Sequence, residues 1–168
     1  MARSRHSSHR DANQPSEATM REAVEEVRAV YRDLEERPAE RDCRARTECC
    51  RFRLTGRTPQ LTGGEALVAA MGWRAAGRKS IDPAAAAPDG ACPFLADSGR
   101  CGIYRDRPFG CRTHFCAAAG GMIERHRVID LIRRLEAVDE SLRGDGPKPL
   151  PQAVAEALER LPKRSGRR

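Results

Sequence analysis

The chain has 168 residues, a length that is enough for one domain flanked by tails. Its formal net charge is +7. Leu, Ile, Val and Phe make up about 16% of it, below the roughly 20% at which a chain becomes too poor in large apolar residues to fold unaided. This composition argues against a large apolar core. We therefore expect a metal or a cross-link to supply additional stability.

Neither a targeting segment nor a membrane span is evident. Basic residues in the first twenty positions are not followed by a signal-peptide core, and no stretch reaches the roughly 20 apolar residues that cross a bilayer. We therefore expect a soluble, cytoplasmic protein without membrane contact. A charge of +6 lies in residues 1–14 and 162–168, which leaves the body nearly neutral. Such basic tails predict disorder and only weak contact with nucleic acid.

The hydrophobic pattern predicts a mainly α, irregular single domain of about four helices over residues 16–161, between disordered tails at 1–15 and 162–168. The first helix follows a capping box formed by Thr19 and Glu22 and ends before Pro38. Its apolar residues recur at the helical period and form one face: Met20, Val24, Val27, Tyr31 and Leu34.

Three more helices follow. A second capping box, Thr62 with Glu65, opens the short second helix. The third begins after Gly121, continues with helical periodicity from Val128 to Leu142, and stops near Gly144. The fourth is the stretch "LPQAVAEALERLP", with Leu150, Val154, Leu158 and Leu161 on one face. No segment alternates apolar and polar residues long enough to predict a substantial sheet.

The seven cysteines fall into two arms on either side of the second helix. The first arm holds Cys43, Cys49 and Cys50, and the second holds Cys92, Cys101, Cys111 and Cys116. Disulfides do not persist in a reducing cytosol, so this density favours a metal site ligated by thiolates from both arms. All seven cysteines are candidate ligands, and any four would suffice. The alternative is a set of buried thiols that only fill space.

The residues around the cysteines fit such a site. Five of the seven aromatic residues lie within three positions of a cysteine, and apolar rings would exclude water from a metal: Phe52, Phe94, Tyr104, Phe109 and Phe115. Arginines around the first arm would offset the charge of thiolates or else be solvated. Arg107, Pro108 and Arg112 would brace the cysteine loop or contact a partner, or else form a surface turn. His114 is a possible eighth ligand, which would allow two four-coordinate zinc sites.

The stretches "CPFL" and "CGIYRDRPFGCR" and the closing Cys116 strongly resemble the YkgJ-like cysteine-cluster family. The resemblance covers roughly residues 43–116, with Cys43, Cys49 and Cys50 in the places of the family's CxxCxxCC motif and Arg46 in place of its second cysteine. It implies a domain that chelates zinc or iron, similar to the cluster of flagellin lysine N-methylases, which is thought to hold iron and sulfur. It implies no substrate.

We therefore expect a small metal-binding protein, with an iron-sulfur cluster preferred over zinc as the cofactor and a structural or redox role. The first alternative is a methyltransferase-type protein-modifying enzyme, although the chain has no glycine-rich nucleotide loop. The second is a zinc-stapled nucleic-acid adaptor. We assign no catalytic residue, expect a monomer, and leave a protein partner open.

Overall fold

The computed structural model describes residues 14–38, 47–83 and 90–162, which form a mainly α domain, as predicted. In these residues the α-helices are α1 (Glu17–Glu35), α2 (Phe52–Thr55), α3 (Gly63–Ala75), α4 (Phe109–Thr113), α5 (Ile129–Ser141) and α6 (Leu150–Arg160). The four long ones match the four predicted helices. None of these helices is long and apolar enough to cross a lipid bilayer. The predicted tails, apart from Gln14, Pro15 and Pro162, lie outside the described residues, as do Cys43 and Arg46.

Helix α1 begins earlier than the sequence pattern predicts. Its N-cap is Ser16, whose Oγ accepts a hydrogen bond from the backbone N–H of Thr19 at 3.1 Å. The predicted capping box of Thr19 and Glu22 is therefore wrong, because Thr19 already lies in the first turn. The predicted apolar face is confirmed, with Met20 partly buried and the others buried: Val24, Val27, Tyr31 and Leu34.

Helix α3 lies at the centre of the fold and packs against α1, α5 and α6. Its predicted capping box is present, since Glu65 Oε2 accepts from the backbone N–H of Thr62 at 3.1 Å. Gly64 allows the close approach of its neighbours. A Cβ at this position would lie 2.6 Å from Val138 Cγ1 and 2.9 Å from Val27 Cγ2. A glycine is therefore needed where α1, α3 and α5 meet.

The ends of α5 and α6 close the domain. The buried Asp139 near the end of α5 accepts hydrogen bonds from the backbone N–H groups of Gly63 at 2.6 Å and Gly146 at 3.1 Å. This carboxylate ties the end of α5 to the beginning of α3. Strands β1 (Gln60–Leu61) and β2 (Lys148–Pro149) form a two-residue antiparallel pair beside α6. The described part of the chain thus has no substantial sheet, as predicted.

Candidate metal centre

Main-chain hydrogen bonds join the two cysteine arms. Cys49 and Cys50 lie on a single 3-10 turn, Glu48–Cys50, which follows Thr47 in the left-handed conformation with φ +60°. The backbone N–H of Cys92 donates to the carbonyl of Cys50 at 2.7 Å, and that of Phe52 donates to Gly90 at 2.8 Å. This short antiparallel pairing places Cys92 beside Cys50.

A tight hairpin returns the chain from Cys92 to Cys101. The N–H of Ala96 donates to the carbonyl of Arg100 at 2.9 Å, and Leu95 pairs with Cys101 across the hairpin. Gly99 turns the chain with φ +74°, a conformation that residues with a Cβ rarely adopt. Cys101 is thereby brought back to the region of Cys92.

Cys111 is placed by α4, whose first residue is anchored to the centre of the fold. The N–H of Phe109 donates to Glu65 Oε1 at 2.8 Å, while the other carboxylate oxygen of Glu65 caps α3. Burial raises the pKa of Glu65, and its hydrogen bonds to Thr62 and Phe109 oppose that rise. One buried carboxylate therefore fixes the beginning of α3 and of α4 together.

Arg112 locks the loop between Cys101 and Cys111 onto α1. Its side chain is buried and donates from Nε to the carbonyl of Arg107 at 2.9 Å and from Nη1 to Glu35 at 2.6 Å. A further bond from Nη2 reaches the carbonyl of Arg105. The guanidinium carbon lies 4.1 Å from the centre of the Tyr31 ring. The predicted bracing role of Arg112 is thus present in the structure.

Five of the six described cysteines lie on segments that the backbone connects: Cys49, Cys50, Cys92, Cys101 and Cys111. Besides burial, the charge of Cys49 raises the pKa of Cys92, Cys101 and Cys111. The Sγ atoms of Cys49 and Cys50 are 4.0 Å apart. Cys116 follows α4, and no contact of hydrogen-bond length joins its thiol to the other described cysteines. Cys43 lies outside the described residues.

The described thiols do not form a coordination shell for a metal. All six described cysteines are free of disulfides. Among the described residues, no three side chains of His, Cys, Asp or Glu are close enough as they stand to share one metal ion. A bound metal would therefore draw the thiol groups closer together. These residues include His114, which lies at the end of α4 and is partly buried.

The thiols differ in acidity because their surroundings differ. A hydrogen bond from Cys50 lowers the pKa of Cys49, and the positive charge of Arg107 lowers it further. The same hydrogen bond raises the pKa of Cys50. Burial raises the pKa of Cys92 to about 12 and also raises the pKa of Cys101 and of Cys111. Without a metal, most of the group is therefore neutral near pH 7.

An apolar shell surrounds the thiols on the side of the core. Phe94 and Phe109 are buried, as predicted, and the ring of Trp73 packs against Phe94 with centroids 5.0 Å apart. Tyr104 departs from the prediction, since 56% of it is exposed. A cavity of about 410 Å³ opens beside Cys92 and gives solvent a route to this edge of the group.

The sequence pattern missed the contributions of Glu65 and Tyr31 to this site, and it named Arg107 without its effect on the cysteines. Glu65 is recognisable as a cap of α3, but its second bond to Phe109 spans 44 residues and has no local signature. In the sequence Tyr31 is only one apolar position of α1. In the structure burial raises the pKa of its hydroxyl, and the charge of Cys111 contributes to the same shift. Arg107 was a candidate brace, and the structure places its charge near Cys49 and Cys101.

Chemically, this group of neighbouring thiols in an apolar setting can ligate a soft metal once it loses its protons. It can also undergo thiol oxidation, for which Cys49 is the most acidic member. The chain matches no protein-family model, and comparison with curated proteins and with solved structures likewise found no match.

Proposed function

We propose that this protein binds a metal centre through the thiolates of Cys49, Cys92, Cys101 and Cys111. The observation that carries the proposal is the backbone arrangement of three separate segments: the pairing of Cys50 with Cys92, the hairpin that returns to Cys101, and the anchoring of α4, which carries Cys111. Structural zinc and iron-sulfur clusters both take four thiolates. Space-filling thiols have no need to converge in this way.

Cys50 has a different role in this proposal. Its thiol donates a hydrogen bond to the Cys49 sulfur, so it keeps its proton while Cys49 loses one. Such a donor stabilises an anionic ligand without binding the metal itself. Cys50 is also the nearest replacement if Cys49 is lost, because the two sulfurs are neighbours.

An iron-sulfur cluster is preferred over zinc. The apolar shell of Phe94, Phe109 and Ile103 on the core side would keep water from a redox centre. The resemblance of roughly residues 43–116 to a cysteine-cluster family that chelates zinc or iron supports a metal site with either occupant. When bound, the centre would supply one-electron redox chemistry or a structural cross-link. The enzyme and the nucleic-acid adaptor remain predictions, and no contact within the described residues favours either.

Anaerobic purification of the full chain tests the proposal. We expect brown protein with iron and acid-labile sulfide, measured by elemental analysis and by the visible absorption spectrum. Colourless protein with one equivalent of zinc would support the four-thiolate site, with zinc as its occupant instead of an iron-sulfur cluster. Folded protein that holds neither metal, as purified or after reconstitution, would contradict the proposal.

Single substitutions locate the ligands. We expect Cys111→Ser and Cys101→Ser to lose most of the bound metal, because each removes one of the four proposed ligands. Cys116→Ser is the comparison variant and should retain wild-type metal content, because Cys116 is not one of the four proposed ligands. Equal metal loss in all three variants would show that the assignment of ligands is wrong.

A further inference from the structure

Cys49 and Cys50 bring two sulfur atoms together on one short turn. Successive side chains of a 3-10 turn leave the backbone about 120° apart, so adjacent residues do not ordinarily touch. Here the rotamers of the two cysteines turn toward each other, and their Sγ atoms lie 4.0 Å apart. Neither thiol is part of a disulfide. The pair is therefore a dithiol whose two members are placed to react with one another.

Main-chain hydrogen bonds fix the turn that carries this dithiol. The N–H of Cys50 donates to the carbonyl of Thr47 at 2.9 Å, and the N–H of Arg51 donates to that of Glu48 at 3.0 Å. The carbonyl of Cys50 accepts in turn from the N–H of Cys92 at 2.7 Å. The backbone thus holds the two sulfurs as neighbours without the help of a bound ligand.

Small solutes can reach the dithiol from outside. Cys49 and Cys50 are both partly exposed, whereas Cys92, the backbone partner of Cys50, is buried. The cavity of about 410 Å³ beside Cys92 is also lined by Thr47 and Arg51, which lie on either side of the pair. A small thiol-reactive molecule therefore meets Cys49 or Cys50 before it meets the buried thiol.

We infer that Cys49 and Cys50 are a reversible redox site of the metal-free chain, which exchanges with a small-molecule disulfide and closes a bond between its own two sulfurs. First, the thiolate of one cysteine attacks the small disulfide, a mixed disulfide forms, and one small thiolate leaves. The thiolate of the other cysteine then attacks the protein sulfur of the mixed disulfide and displaces the second small thiolate. The protein loses two electrons and two protons, and the small disulfide is reduced to two thiols.

The adjacency of the two cysteines makes this bond easy to reverse. Neighbouring Cα atoms are about 3.8 Å apart across a trans peptide, whereas relaxed disulfides join Cα atoms about 4.4–6.8 Å apart. The resulting strain makes a disulfide more reducible, which is typical of labile and regulatory disulfides. A ring between adjacent residues also removes little freedom from the unfolded chain, so oxidation should not raise the melting temperature.

The test uses the full chain after removal of metal with a chelator and full reduction. It is incubated with glutathione disulfide, the remaining thiols are blocked, and the chain is digested with trypsin. The stretch "TECCR", residues 47–51, forms one tryptic peptide because an arginine precedes it and another ends it. We expect mass spectrometry to find this peptide lighter by two hydrogen atoms and without glutathione, and dithiothreitol should restore its reduced mass.

Single substitutions show whether the two cysteines act together. Cys49→Ser and Cys50→Ser cannot close the bond, so each should retain glutathione on the remaining cysteine of the peptide. Cys116→Ser is the control, because it removes a thiol but keeps the dithiol, and its peptide should match that of the wild type.

Two results would overturn the inference. The first is a wild-type peptide in which both thiols stay free or each carries glutathione. The second is a bond from Cys50 to Cys92, which would join two tryptic peptides and raise the melting temperature by closing a long loop. The inference goes beyond the proposed metal centre and does not depend on it. Either result would leave that proposal standing, and a chain that binds no metal could still close the bond.

Discussion

Glu65 connects the fold to the cysteine site through a single side chain. Its two carboxylate oxygens accept from Thr62 and Phe109, so the beginning of the central helix and the beginning of the helix that carries Cys111 share one anchor. Glu65 is fully buried, and burial raises the pKa of its carboxyl group. Its hydrogen bonds to Thr62 and Phe109 oppose this rise and hold the carboxylate in place. Loss of an acceptor here would leave a buried N–H unpaired.

We expect Glu65→Gln to lower the free energy of unfolding by about 1–3 kcal/mol, because the amide nitrogen replaces one of two acceptor oxygens. Chemical denaturation of the full chain measures this. Glu22→Gln is the control, since Glu22 is exposed on α1 and should change the free energy of unfolding by less than about 0.5 kcal/mol. Equal effects in both variants would count against the anchoring role.

Local patterns predicted one half of this arrangement. Thr62 and Glu65 stand three residues apart, so the capping box is visible in the sequence. The same reasoning misplaced the cap of α1, because Thr19 and Glu22 also fit the pattern while Ser16, three residues earlier, adds another helical turn. Contacts between distant segments, such as Glu65 with Phe109 or Tyr31 with Arg112, depend on packing and leave no local signature.

At the scale of the elements, small residues let α3 occupy the centre. Ala66, Ala69 and Ala70 are buried together with Gly64, so neighbouring helices approach α3 closely without large side chains. Close packing gains dispersion contacts that a composition poor in Leu and Ile would otherwise lack. The low content of Leu, Ile, Val and Phe argued against a large core. Small buried residues instead give a compact one.

Gly64→Ala should destabilise the protein by about 1–3 kcal/mol, because its Cβ would overlap Val138 and Val27 and force the helices apart. Gly110→Ala on α4 is the matched control. Its Cβ would meet no atom within 4 Å, and alanine favours a helix, so stability should stay the same or rise by about 0.5–1 kcal/mol. Thermal unfolding of both variants checks the prediction, and an unchanged Gly64→Ala variant would contradict it.

Helices α1, α5 and α6 follow from periodicity, because each buries one regular face. Helix α3 is buried on nearly every side, so its capping box is the stronger signal in the sequence. Helical periodicity says little about the cysteine site. Cysteine density predicted the meeting of the two arms, but it could not separate Cys116 from Cys111, since both follow "RPFG" within a few residues. In the structure Cys111 lies within α4, whereas Cys116 follows the helix and precedes the next turn.

At the scale of the whole molecule, the buried thiols link stability to pH. Burial raises the pKa of Cys92 to about 12 from a usual value of 9.0, and raises that of Cys101 and Cys111 as well. The folded chain therefore holds these protons more tightly than the unfolded chain does. Their contribution to stability is complete below pH 9 and is lost as the pH rises toward 12.

We expect the metal-free chain under reducing conditions to lose unfolding free energy as the pH rises from 9 toward 12, measured by urea denaturation. Cys49, whose pKa is lowered, acts in the opposite direction only at lower pH. Cys111→Ser should show a smaller loss over this interval, because one of the titrating thiols is gone. A loss that is identical in Cys111→Ser and in the wild type would contradict the assignment to buried thiols.

The main-chain pairing of Cys50 with Cys92 bears on how a metal would enter the proposed centre. Backbone hydrogen bonds already hold the two arms side by side, so an arriving ion would not have to bring distant stretches of chain together. Binding would then require the thiols to lose their protons and their side chains to move closer to one another. Such a site would keep its backbone arrangement after losing the ion.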